Sequence, residues 1–481
     1  MSSEKVDRKS IEALQEEIRQ VYTADSRPWV IGFSGGKDST TALQLTWYAL
    51  AKLPPDQRKK PVFVIASDTL VETPVVVDQL NNTLDKISKA AEKAGMPFTA
   101  HKVQPELKDT FWVNMIGRGY PAPYRRFRWC TERLKILPAN KFIEEKVNKY
   151  GEVIMVLGVR RAESATRAQV LSLHRKSGEL LSRHSVLKSA WVYAPIEFFE
   201  TQDVWTYLLA VPNPWAGSNR DLVTMYRNAQ AGECPLVVDK TTPSCGNSRF
   251  GCWTCTVVER DKSMEAMVEG GQEWLEPLLE LRDWLTSMQD PAKKHEVREV
   301  RRRSGRIQTW GEDDNKKIVW GPYKFEVRKE ILKRLLVAQE RVRSTGPDPR
   351  IELIQQRELN EIRRLWTTEE GDWLDSLPAI FREATGRDVD WVKDDTAIQS
   401  LIDEATLQSV CREHSVPAGL VKELIDIERS LQGLGRRSSV FDSIDRILGK
   451  DWRSAEEVFR EINYRPDLEA EAEEMGASDE A

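Results

Sequence analysis

The chain has 481 residues, 31% of them charged, with a net charge of −5. That length predicts roughly two to four domains; the composition is that of a soluble globular protein and excludes a generally basic nucleic-acid coat, so any such surface must be local. No apolar run approaches the ~18 residues that cross a bilayer, and the N-terminus lacks the apolar stretch of a secretory signal. The expectation is a cytoplasmic protein with no membrane association, in a reducing compartment where cysteines rarely form structural disulfides.

The first segment, 1–24, reads as an amphipathic helix with Ile11, Leu14 and Ile18 on one face. From 25 to 215, short β-rich runs ("WVIGF", "VFVIAS", "FTAHKV", "VIMVLGV") alternate with helix-like segments. This is the pattern of a parallel sheet with crossover helices. The next stretch, 216–262, is rich in Gly, Pro, Asn and Cys and reads as an irregular lobe. From 263 to 465 the chain is charged, Trp-bearing and mainly helical. There Val327, Ile331, Leu332, Leu335 and Leu336 keep helical spacing, and "STGPDPR" (344–350) marks a break. The last segment, 466–481, is acidic and expected to be frayed.

Between the first strand and the following helix lies S-G-G-K-D-S, Ser34 to Ser39. A Walker loop needs G-x-x-x-x-G-K-[ST]. Ile31 stands where its first glycine belongs and Asp38 where its metal-binding hydroxyl belongs, so that pattern fails at both ends. Instead, Gly35 and Gly36 let backbone amides approach an anion, and the helix N-terminus adds partial positive charge. Lys37 supplies a point charge, and Ser34 and Ser39 supply hydroxyls. Such a pocket suits a pyrophosphate. The segment resembles the PP-loop of the ATP pyrophosphatases, which cleave ATP between its α and β phosphates. The resemblance implies an adenine nucleotide alpha hydrolase-like α/β fold, bound ATP with Mg²⁺, and Lys37 and Asp38 at the reacting centre, Asp38 helping to organise the metal.

Further stretches follow in order: "SDTLVETP" (67–74), "RWCTERLKILP" (128–138), "VLGVRRAESATR" (156–167) and "PIEFFETQDVWTYL" (195–208). Together they resemble the phosphoadenylyl-sulfate reductase branch of the PP-loop proteins over roughly 25–215. In that branch the end of the second strand lies near the adenosine, which makes Asp68 and Thr69 candidate nucleotide contacts. Arg160 and Arg161, with Arg167, follow a predicted strand end, where ligands bind in open α/β sheets. They are candidate catalytic cations. Arg125, Arg126, Arg128, Arg133 and Lys135 flank Cys130 and suit an anionic substrate.

Six cysteines are present: Cys130, Cys234, Cys245, Cys252, Cys255 and Cys411. Four crowd into 234–255, and "CGNSRFGCWTC" gives C-x6-C-x2-C. Spacing alone leaves structural zinc and an iron–sulfur cluster equally open. A thioredoxin-like C-x-x-C would normally open a helix in a small α/β fold. Cys411, in a polar helix, reads as structural.

The reductases that carry a cluster have a Cys-Cys pair and a C-terminal E-C-G-x-H nucleophile. Here Cys130 has Trp129 and Thr131 as neighbours, and the tail has no cysteine. The combination of reductase-like domain, "CP…SCGNSRFGCWTC" lobe and charged helical C-terminal region resembles the DndC family of DNA phosphorothioation proteins. That resemblance implies a [4Fe–4S] cluster on Cys130, Cys245, Cys252 and Cys255. Cys234 is an alternative to Cys245 or a transient sulfur carrier. It also implies ATP-dependent replacement of a non-bridging DNA oxygen by sulfur. The partners would be DNA, a cysteine desulfurase as sulfur donor and other subunits of a phosphorothioation complex. The stretch "KKHEVREVRRRSGR" (293–306), with seven Lys or Arg against two Glu, is a candidate DNA surface. Alternatives are a sulfonucleotide reductase, a tRNA thiolase, or a DNA-tethering scaffold whose cluster only stabilises the fold.

Overall fold

The computed structural model describes residues 8–163, 180–184, 186–229, 251–311, 316–391, 404–430 and 439–466. Cys234, Cys245, Arg167 and the acidic tail from 467 onward lie outside the described residues. The chain divides into two compact units, one of residues 1–106 and 128–276, the other of residues 107–127 and 277–481.

The first unit is an α/β domain. Helix α1 (Arg8–Thr23) leads into β1 (Trp29–Gly32), followed by α2 (Lys37–Ala51), β2 (Val62–Ser67), α3 (Pro74–Lys93) and β3 (Phe98–Val103). After the single turn α4 (Trp129–Thr131) come α5 (Leu137–Tyr150) and β4 (Val153–Val156). Two strands with no clear period in the sequence, β5 (Ser182–Arg183) and β6 (Ala190–Tyr193), precede α6 (Thr201–Ala210) and α7 (Asn219–Ala229). The strand order is β3-β2-β1-β4-β6-β5. All neighbours run parallel except β5, which pairs antiparallel with β6 at the edge.

Strands covered on both faces read as near-continuous apolar runs, as "WVIG" and "VFVIA" do. Trp29 and Ile31 enter one core with Val62, Val64, Leu43, Ile87, Val156 and Trp205. Val30 enters the opposite core with Phe63, Ile65, Ile143 and Val153. In α1, Ile18 is buried in the first of these cores, with Ile11 and Leu14 packed partly against it. The chain winds outward from β1 to β2 and β3 on one side and from β4 to β6 on the other. The carboxyl ends of β1 and β4 therefore flank the switch in strand order, where open α/β sheets place their ligands.

The second unit is mainly helical. Its longest helix, Phe325–Thr345, buries Ile331, Leu332, Leu335 and Leu336 and stops before Gly346. A second helix, Gln356–Glu369, buries Leu359, Ile362, Leu365 and Trp366. Segment 107–127 is built into this unit by side-chain bonds to main-chain carbonyls. Trp112 Nε1 donates to Leu353 O at 2.8 Å, and Trp366 Nε1 to Ile116 O at 2.9 Å. The buried Arg328 guanidinium donates to Gly117 O at 3.1 Å and pairs with Glu370 at 2.6 Å. Cys411 is buried within the helix Glu404–Glu413. Among the described residues no helix is long and apolar enough to cross a membrane.

Candidate functional site

The loop from Ser34 to Ser39 joins β1 to α2. Gly35 has φ +73°, a left-handed conformation that side chains disfavour. The N-cap of α2 is Gly36, which has no side chain to bond the first amides of the helix. Ser39 Oγ accepts from Ser34 N at 3.2 Å, lies 3.1 Å from Ser34 Oγ and donates to Gly36 O at 3.0 Å. The two serines thus brace the turn from within. The turn is a preformed anion cradle: amides at a helix start, two hydroxyls and the Lys37 ammonium.

Asp38 links this cradle to the end of β4. One of its oxygens accepts from Arg160 Nε at 2.7 Å and the other pairs with Lys37 Nζ at 3.0 Å. Arg160 is buried, and its guanidinium also reaches Phe199 O at 3.3 Å and Thr201 Oγ1 at 3.4 Å. Asp38, the expected metal organiser, has both oxygens on cations here and so holds Lys37 and Arg160 in place, and Mg²⁺ would have to compete for it. Arg161 is engaged elsewhere: its Nε donates to Glu197 at 2.6 Å and its guanidinium lies over the exposed Phe198 ring at 5.2 Å. Close approach of β4 to the loop depends on Gly158, where a Cβ would stand 2.6 Å from Asp38 O and 2.9 Å from Ser39 Cα.

One residue of the cradle has no signal in the motif. Tyr226, on α7, places its hydroxyl 3.4 Å from the Lys37 amide nitrogen and its ring 5.3 Å from Lys37 Nζ. Its ring meets that of Trp205 edge-on at 5.2 Å, which fixes its position. The helical spacing of Leu222, Val223 and Tyr226 was the one available hint that the tyrosine faces inward.

The segment after β2, which carries the candidate nucleotide contacts Asp68 and Thr69, meets the thiol segment. Thr69 Oγ1 lies 3.2 Å from Cys252 Sγ, and Glu72 forms an antiparallel bridge with Cys252. Trp253 N donates to Val71 O at 2.9 Å. Thr69 N donates to Glu72 at 2.8 Å. Asp68 is held by Lys102 at 3.1 Å and Gln104 at 2.8 Å, so its carboxylate belongs to the β2–β3 edge.

Cys130, Cys252 and Cys255 gather around Lys135 within this unit. Burial, then the neighbouring Cys255, raises the Cys130 pKa. Burial pushes Cys252 up to about 12, while Lys135 is held above the usual lysine range, first by Cys252 and also by Glu72 and the other two sulfurs. Burial likewise raises Glu72. Alone, such a thiol stays protonated at neutral pH; a bound metal would strip the proton, and Lys135 would then compensate the thiolates. Among the described residues no three His, Cys, Asp or Glu side chains are placed to hold a single metal ion. A four-iron cluster spreads its ligands more widely, and the expected fourth ligand, Cys245, lies outside the described residues. The donor set suits such a group in two further respects. Thr69 already bonds one sulfur, and Thr254 Oγ1, between Cys252 and Cys255, is buried without a partner among the described residues.

The α/β unit thus holds both a strand–loop–helix anion cradle at the switch point and a group of thiols. Residues 28–258, just under half of the chain, match the family model of the phosphoadenosine phosphosulfate reductase domain. An uncharacterized protein of Methanocaldococcus jannaschii is 27% identical over 282 residues, 59% of this chain and 46% of that protein. The chain thus spans less than half the length of that relative. Among solved structures, phosphoadenylyl-sulfate reductase from Candida auris in a phosphate complex is 15% identical, with 44% of this chain and 92% of that chain covered and a TM-score of 0.27. The U34-tRNA thiolase NcsA from Methanococcus maripaludis with its [4Fe–4S] cluster is 12% identical, with 58% and 81% covered and a TM-score of 0.27.

Proposed function

We propose that this protein is an ATP pyrophosphatase and sulfurtransferase that activates a DNA backbone phosphate and exchanges one of its non-bridging oxygens for sulfur. The observation that carries the reading is the placement of an anion cradle and three thiols in one α/β unit, with the chain after β2 hydrogen-bonded to the thiol segment.

In this reading a non-bridging oxygen of DNA attacks the α-phosphorus of ATP. The α–β bridge breaks and pyrophosphate leaves into the loop 34–39, where Lys37, Ser34, Ser39 and the α2 amides compensate its charge. Asp38 keeps Lys37 and Arg160 aimed at the phosphates. The product is a mixed anhydride of DNA phosphate and AMP. A poor leaving group, oxide, has been replaced by a good one. The terminal sulfur of a cysteine persulfide, loaded by a cysteine desulfurase, then attacks the DNA phosphorus, and AMP departs with the original oxygen. A second thiol cleaves the resulting S–S bond. This leaves the phosphorothioate and a disulfide, which an external dithiol reduces. Cys130, Cys252 and Cys255, with Cys245, would hold a [4Fe–4S] cluster, which when bound anchors this segment; with those four thiolates on iron, the persulfide falls to Cys234 and the second thiol is one of the external dithiol's own. Other subunits of the complex would choose the DNA sequence.

The test is to incubate anaerobically prepared protein with ATP, Mg²⁺, DNA, cysteine desulfurase, cysteine and partner subunits. Nuclease digestion followed by mass spectrometry should reveal a phosphorothioate-linked dinucleotide, absent for Lys37→Ala. The match to the reductase domain favours a second reading, reduction of a sulfonucleotide. Sulfite release from phosphoadenylyl sulfate and a thiol, with unmodified DNA, would decide for it.

A further inference from the structure

The stretch expected to bind DNA uses much of its charge within its own unit. Arg298 donates to Gly321 O at 2.6 Å and Trp320 O at 3.1 Å. Arg301 lies 4.4 Å over Trp452, and Arg303 bonds Arg118 O at 2.7 Å and pairs with Glu369 at 3.0 Å. A different element of that unit carries exposed rings and cations together. In "PAPYRRFRW", Tyr124 and Phe127 form a tight antiparallel turn, with Phe127 N donating to Tyr124 O at 2.9 Å and Tyr124 N to Phe127 O at 3.4 Å. Arg125 and Arg126 form its tip, and both are exposed. Tyr124 and Phe127 are 41% and 38% exposed, with ring centroids 5.9 Å apart and tilted at 42°.

Two large rings left in solvent on a flexible loop would carry little information. This turn is braced. Ala122 N donates to the buried Tyr323 hydroxyl at 3.0 Å, and Gln289 donates to Pro123 O at 3.0 Å. Two prolines, Pro121 and Pro123, stiffen the approach. The fold therefore presents two aromatic faces and two guanidinium groups on a rigid tip. Aromatic faces that stack bases, interleaved with cations that follow the backbone, are the chemistry by which proteins hold single-stranded nucleic acid. In the sequence this tip stands three residues before Cys130.

We propose that the Tyr124–Phe127 turn is a docking element for single-stranded DNA, its rings stacking an unpaired base and Arg125 and Arg126 contacting the flanking phosphates. The proposal rests on the reading of DNA as substrate, and deepens it: the substrate is engaged where a base is accessible.

The test uses the full chain and a fluorescent oligonucleotide followed by anisotropy, as single strand, as duplex and as RNA of the same sequence. A Tyr124→Ala/Phe127→Ala double variant should lose at least about fivefold in affinity for the single strand, and less for the duplex. An Arg125→Ala/Arg126→Ala variant should lower the slope of log K against log salt by about 1.4, about 0.7 for each lost phosphate contact. Binding of inorganic pyrophosphate with Mg²⁺ should be unchanged in both, showing that the fold survives. Undiminished single-strand binding by the ring variant would overturn the docking element while leaving DNA as substrate. Tighter binding of the RNA would overturn the assignment to DNA. Failure of the wild-type chain to bind any strand, with pyrophosphate binding intact, would overturn the DNA reading and the docking element together.

Discussion

Lys37 and Asp38 could be named from the sequence because the SGGKDS pattern dictates a backbone shape. Tyr226 could not, because nothing in an isolated "MYRN" says which loop its hydroxyl meets. Its hydroxyl accepts from the Lys37 amide and keeps a proton that it would donate to a phosphate bound in the cradle. Tyr226→Phe keeps the ring against Trp205 and removes only the oxygen. A hydrogen bond to a charged group contributes about 1.5–3 kcal/mol, so pyrophosphate affinity should fall at least about tenfold by titration calorimetry; unchanged affinity would remove Tyr226 from the site. Lys60 makes a second prediction at this scale. It is packed over Tyr22 and Trp29, 3.4 Å from Asp25, and burial lowers its pKa to about 8. The unfolded chain keeps a proton on lysine up to about 10.4. Between these values the unfolded state binds more protons than the folded one, so stability rises with pH in that window. Wild-type stability measured against Lys60→Met should therefore climb from pH 8 to 10. A flat difference would contradict this.

At the scale of elements, the sequence was informative wherever the chain is buried on both faces or one face repeats. Strands β1, β2 and β4 and the helix carrying Ile331, Leu332, Leu335 and Leu336 are of this kind. It was silent on β5 and β6, which are short and only partly buried, β5 at the sheet edge, so that no period distinguishes them from loop. The join of β4 to the phosphate loop depends on a missing side chain. Gly158→Ala would drive a Cβ against backbone at 2.6 Å, which cannot rotate away. We expect a loss of about 1–3 kcal/mol of stability, read from the urea midpoint, together with weaker pyrophosphate binding. An unaffected variant would mean that β4 and the loop are not in contact in solution.

For the whole molecule, the likeness to the reductase domain was legible because four local stretches occur in order, and residues 28–258 match the model of that domain. The site was legible as two separate halves. What linear order could not convey is that the thiol half leans on the end of β2: Thr69, expected at the nucleotide, contacts Cys252. The grouping of residues 107–127 with the C-terminal unit was equally hidden, since it rests on indole and guanidinium bonds to carbonyls hundreds of residues away. Both follow from long-range packing, which no local pattern encodes. The central claim is that the cradle at 34–39 retains pyrophosphate as ATP is split next to its α-phosphorus. The most direct measurement is chromatographic separation of the nucleotide products after anaerobic incubation with ATP, Mg²⁺, DNA and partner subunits. The account predicts AMP and pyrophosphate in equal amounts, both lost in Lys37→Ala; ADP and orthophosphate from the wild-type protein would contradict it.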